Sequence, residues 1–122
     1  MGKKVLIVDD SRTIRQQVSF TLAKSGFEVV EAEDGCDGIA KLKANPDIAM
    51  IISDVNMPNM NGLEMVEAIN KDAALKHPPV VMLTTEGAAE MVDRAKRAGA
   101  KGWLVKPFKP DQLVAVVTRL AG

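Results

Sequence analysis

The feature that most constrains the fold is a fivefold alternation of short apolar runs with helical patterns. The runs are Val5–Val8, Phe27–Val30, Ile48–Ile52, Val80–Leu83 and Trp103–Val105. None shows strict polar alternation, which predicts strands covered on both faces. Helical periodicity follows each run. Ile14, Val18 and Leu22 recur every four residues and Gly26 supplies a stop. Asp34 is a candidate cap for a second helix that Asn45-Pro46 ends. Asn61 and Glu64 have capping-box spacing, with Leu63, Val66 and Ile69 on one face behind them. Met91, Val92, Ala95 and Ala98 mark a fourth helix closed by Gly99; Pro110 suits the first turn of a fifth, carrying Leu113, Val114, Val117 and Leu120. Strand–helix repeated five times predicts an α/β fold, (βα)5: a doubly wound, five-stranded parallel sheet with right-handed crossovers. The 122 residues are the size of one domain, and no linker or internal repeat divides them. The last helix ends where the chain does, so no attached effector domain is expected.

In an open parallel sheet, ligands bind beyond the carboxyl ends of the strands, near the switch point in strand order. Asp9 and Asp10 follow the first run, Asp54 the third, Thr84 and Thr85 the fourth, and Lys106 the fifth. Singly, each has an ordinary explanation. Asp10 or Ser11 can cap the first helix, Asp54 can be a turn acid before Asn56-Met57-Pro58, Thr84 a β-branched strand residue, and Lys106 a solvated loop lysine. Together they bring three carboxylates, a hydroxyl and an ammonium to one sheet edge. Crowded carboxylates repel one another and call for a cation. Oxygen ligands without His or Cys favour Mg²⁺ over Zn²⁺. Metal, ammonium and hydroxyl suit the stabilisation of a transferring phosphoryl group, and a carboxylate can be its nucleophile.

Asp9-Asp10-Ser11, the segment Ile51–Gly62 (IISDVNMPNMNG), Thr84 and Lys106-Pro107-Phe108 resemble the receiver domain of bacterial response regulators, most closely the stand-alone chemotaxis type. The resemblance spans essentially the whole chain. It implies a flavodoxin-like sheet order, 2-1-3-4-5. It implies a two-component phosphoacceptor, not an enzyme acting on other substrates. Asp54 is then the phosphoacceptor. Asp10, Asp54 and the Asn56 carbonyl hold Mg²⁺, Asp9 acts mainly through water, and Lys106, joined to Pro107 by a cis bond, pairs with phosphoryl oxygens. Thr84 and Trp103 become switch residues, Trp103 standing where Tyr or Phe is more frequent. Asn56 and Glu86 flank the phosphoryl group and set its lifetime. The implied partners are a histidine kinase or histidine phosphotransfer protein as donor, and a downstream protein of chemotaxis or motility, such as a flagellar-motor component. They would dock on residues 88–121 of a monomer. Val114 and Val116 are core residues or apolar contacts of that face, and flagellar-type relatives often carry lysines where Ala88 and Ala89 stand.

Other classes fit less well. A Mg²⁺-dependent aspartyl-phosphate phosphatase places a general acid two residues after its nucleophile, and that position is Asn56. A flavin carrier needs a Ser/Thr/Gly-rich loop after the first strand, where Asp9 and Asp10 would repel phosphate. A phosphorelay intermediate or phosphate sink remains open. With 16 basic and 16 acidic residues, the chain lacks the basic excess of nucleic-acid binders. No apolar stretch is long enough for a membrane span, no signal peptide is evident, and a cytoplasmic location is expected. Cys36 is the only cysteine and is expected to be a small, at least half-buried apolar residue. His77, the only histidine, reads as a solvated loop residue, and Met57 and Met60 as packing.

Overall fold

A computed structural model describes residues 3–55, 57, 59–75, 77–84, 89–106 and 108–121, without the side chains of residues 84 and 89–92. The elements alternate as expected: β1 (Lys4–Val8), α1 (Arg12–Lys24), β2 (Glu28–Ala32), α2 (Gly35–Ala44), β3 (Ile48–Asp54), α3 (Gly62–Lys71), β4 (Val80–Thr84), α4 (Ala89–Ala98), β5 (Gly102–Val105) and α5 (Pro110–Ala121). The strands form one parallel sheet in the order β2-β1-β3-β4-β5. This is the doubly wound, flavodoxin-like arrangement.

The missing polar alternation has a direct cause. Successive residues of a strand point to opposite faces, and here both faces are covered. Leu6, Val8, Ile51 and Met82 meet α2, α3 and α4 through Leu42, Leu63, Met65, Val66 and Ala95. Val5, Ile7, Ile52 and Leu83 meet α1 and α5 through Val18, Leu22, Leu113 and Val117. Val5 to Val8 are accordingly all fully buried. Met57 and Met60 pack at the edge of the first cluster, and Val116 at the edge of the second. Val114 is half-buried.

The helix ends follow their capping chemistry. Ser11, not Asp10, caps α1: its Oγ accepts the Ile14 N–H at 3.3 Å. Asp34 caps α2 through the Asp37 N–H at 2.8 Å, and Asn61 and Glu64 form the reciprocal box at α3. Gly26 and Gly99 have φ of 93° and 106°, the left-handed conformation that ends helices without a Cβ penalty. One expectation is corrected: Cys36 is exposed. It stands in the first turn of α2, where the inward positions are Gly35 and Gly38, packed against Met60, and against Met65 and Val8. His77 is exposed, with Nε2 3.3 Å from the Asp72 carbonyl.

Candidate functional site

Two strand ends and the segment after a third converge on one acidic pocket. In the β1–β3 register Val8 lies opposite Ser53, so the next residues, Asp9 and Asp54, face each other across the switch point in strand order. Asp9, Asp10 and Asp54 each offer a carboxylate oxygen, and these atoms lie within 4.8 Å of one another. Three hard, anionic oxygen donors at that spacing fit a hard divalent cation.

Asp9 is fully buried, so its charge must be met inside the protein. Its Oδ1 accepts the Ser11 N–H at 2.8 Å, and the Lys106 ammonium lies 3.2 Å from its Oδ2. The same ammonium is 3.3 Å from Asp54 Oδ1, which also accepts the Val55 N–H at 2.9 Å. Lys106 therefore bridges two of the three acids from the segment that follows β5. Asp10 is exposed and stands at the mouth of the pocket. Burial pushes the Asp54 carboxyl above its ordinary range, Asp9 pushes it the same way, and Lys106 opposes both only in part. The pocket carries an excess of negative charge that one ammonium does not balance.

The structure thus brings together Asp9, Asp10, Asp54 and Lys106 from the residues expected at the site. Thr84 closes β4, paired with Val105 of β5, and its side chain lies outside the described residues. Asn56, Glu86, Pro107 and Ala88 also lie outside them. Trp103 is half-buried on β5 beside Ala95 and Ala100, bordering a cavity of about 80 Å³, and its buried indole N–H has no hydrogen-bond partner among the described residues. Three further residues support the pocket. The Arg15 guanidinium donates to the Asp9 carbonyl at 2.6 Å, Ser53 Oγ donates to the Asp54 carbonyl at 2.9 Å, and Val55 donates its N–H to Asp54. Arg15 lies one turn beyond the Ser11 cap, a spacing that signals proximity. Ser53 and Val55 carry no such signal in a single sequence.

The chain matches the response regulator receiver domain family over residues 5–118. It is 45% identical over 111 residues to the chemotaxis protein CheY1 of Helicobacter pylori, covering 90% of each chain. It is 41% identical to the chemotaxis protein CheY homolog of Campylobacter jejuni, covering 90% of this chain and 85% of the relative. The solved structure of Vibrio cholerae chemotaxis protein CheY4 superimposes with a TM-score of 0.91 at 47% identity, covering 98% of this chain and 99% of the other. Among the described residues no helix is long and apolar enough to cross a membrane. Sequence, fold and the acidic pocket at the sheet edge agree, and the chain belongs to the response regulator receiver domain family.

Proposed function

We propose that this protein is a phosphorylation-driven switch of a two-component pathway, serving chemotaxis or motility, with Asp54 as phosphoacceptor. The observation that carries the reading is the carboxylate trio, two of whose members, Asp9 and Asp54, Lys106 bridges. An Asp54 carboxylate oxygen attacks the phosphorus of a donor, the phosphohistidine of a kinase or phosphotransfer protein, or a small acyl phosphate. A new P–O bond forms as the bond to the donor nitrogen or oxygen breaks, and the leaving group carries away the electron pair. Asp10 and Asp54, with the Asn56 carbonyl and with Asp9 acting through water, would hold Mg²⁺, which would supply positive charge to neutralise the phosphoryl oxygens. Lys106 turns from the carboxylates to a phosphoryl oxygen and keeps a cation beside the charge that moves there. Asn56 and Glu86 govern the approach of the water that ends the signal. The test is mass spectrometry after incubation with a small acyl phosphate. A base-labile phosphoryl adduct that requires Mg²⁺ and maps to Asp54 is expected, and an adduct elsewhere would refute the assignment.

Output requires two conformations that bind phosphate differently. Thr84 and Trp103 supply them: the hydroxyl moves to a phosphoryl oxygen and the ring follows. The ring borders a cavity, and among the described residues its N–H has no partner to anchor it where it sits. The partner face is the surface of residues 88–121, and the partner is a protein of the chemotaxis or motility apparatus. Trp103 is the only tryptophan, so its fluorescence reports the change directly. Mg²⁺ with beryllofluoride should alter the emission, and Thr84→Ala should lose most of the effect. Equal responses in both proteins would show that Thr84 is not the coupling residue.

A further inference from the structure

The segment between β3 and α3 leaves Asp54 and returns at Gly62, whose N–H donates to the Val55 carbonyl at 3.0 Å. Between these pinned ends it is tied to α2. Asn59 Nδ2 donates to Asp34 Oδ2 at 2.9 Å, and the Gly35 N–H donates to the Met60 carbonyl at 3.0 Å. Asn59 has a φ of 66°, a conformation that Asn tolerates better than most residues but that still needs support. Asp34 is largely buried and its two oxygens divide their work: Oδ1 caps α2 and Oδ2 holds Asn59. The Asp37 N–H and then the Asn59 amide keep the Asp34 carboxyl below the usual carboxylate range, so the bond to Asn59 is charge-assisted at neutral pH.

We propose that Asp34 and Asn59 are positioning residues for the Asp54 site. Their side-chain bond straps the segment after β3 to the N-terminus of α2 and so, together with the bond from the Val55 N–H to the Leu83 carbonyl at 3.2 Å, fixes the N–H that orients the Asp54 carboxylate. The inference rests on the reading of Asp54 as a cation-binding phosphoacceptor and adds residues outside the pocket to it. Asp54 Oδ1 accepts the Val55 N–H within its own segment. Slack in that segment therefore becomes rotational freedom of the carboxylate, and a ligand that must be ordered on binding binds more weakly.

The strap is separable from the cap. Asp34→Ser keeps a good helix cap but is too short to reach Asn59. Asn59→Gly keeps the positive φ and removes the amide. Calorimetric titration with MgCl₂ alone should show about fivefold weaker binding in each variant, the scale of one lost charge-assisted bond partly compensated by water. The double variant should bind no more weakly than either single one, because both remove the same interaction. The exchanged pair, Asp34→Asn with Asn59→Asp, restores a donor and an acceptor and should recover wild-type affinity within about twofold. In metal-free protein, amide exchange across residues 55–61 should quicken in both single variants and not in the exchanged pair. Wild-type affinity in either single variant, or effects that multiply in the double one, would overturn the positioning role while leaving the Asp54 reading intact. A wild-type protein that takes up no Mg²⁺ would overturn both.

Discussion

Replacing Asp54 with Asn should abolish phosphoryl uptake and, in a chelating buffer at pH 7, raise the melting temperature. The first effect follows from the loss of the nucleophilic carboxylate. The second follows from the pocket's charge. Asp54 titrates above its ordinary range because burial and Asp9 disfavour its ionised form more than Lys106 favours it. The folded protein then binds a proton more tightly than the unfolded chain does. Stability falls as pH rises from the unfolded pKa, 3.8, through the raised folded value, and the deficit is complete above both. The amide is neutral and nearly isosteric, and its oxygen can still accept the Val55 N–H. A gain on the order of 1 kcal/mol, or about 4 °C, is expected at pH 7. The difference should shrink as pH falls through the carboxylate range and vanish well below the unfolded pKa of 3.8, where the carboxyl is protonated in both states. Mg²⁺ should reverse the order, since a cation at 100 times its dissociation constant stabilises the wild type by about 2.7 kcal/mol and the variant by less. Thermal melts of both proteins across pH, with and without Mg²⁺, decide it. A variant less stable than wild type in chelator would mean that Lys106 outweighs the repulsion.

Much of this architecture is legible in the sequence because its determinants are local or periodic. Val5–Val8 reads as a fully covered strand without knowledge of its neighbours, and Asn61 and Glu64 form the capping box their spacing announces. Asp9, Asp10, Asp54 and Lys106 each stand at or just after a strand end, which is enough to point to them, and the sheet brings them together. The illegible part depends on which face a residue presents and on contacts between distant segments. Cys36 has the composition of a core residue, but α2 turns its glycines inward instead. Asp34 reads as a cap, and nothing in the chain announces that its second oxygen reaches Asn59, 25 residues away. The unmet charge on Asp54 is likewise a property of burial and of a neighbour from another strand, not of the residue.

Gly62 shows the same limit and supports the second strong prediction, that Gly62→Ala is severely destabilising and also damages the Asp54 site. Propensity alone argues the reverse. Gly62 opens α3, its φ is not positive, and Ala is favoured over Gly in a helix by about 1 kcal/mol. Space decides instead. A Cβ there would lie 2.2 Å from the Asp54 carbonyl oxygen, 2.7 Å from Met82 Cε and 2.9 Å from Ser53 Oγ. Met82 can move its terminal methyl, but the Asp54 carbonyl is backbone at the end of a central strand, already bonded by the Ser53 hydroxyl. Relief requires α3 and the segment before it to shift away from β3. A cost of about 3 kcal/mol, at the upper end for overpacking, is expected and should lower the melting temperature by roughly 10 °C. Phosphoryl uptake should slow as well, because the displaced backbone is that of Asp54. Gly26→Ala provides the contrast. No atom lies within 4 Å of a Cβ built there, and only its φ of 93° opposes the change. That variant should lose about 1 kcal/mol to backbone strain and phosphorylate at the wild-type rate. Equal melting temperatures for the Gly62 variant and wild type would mean that the close approach of α3 to the Asp54 backbone is not what holds the site.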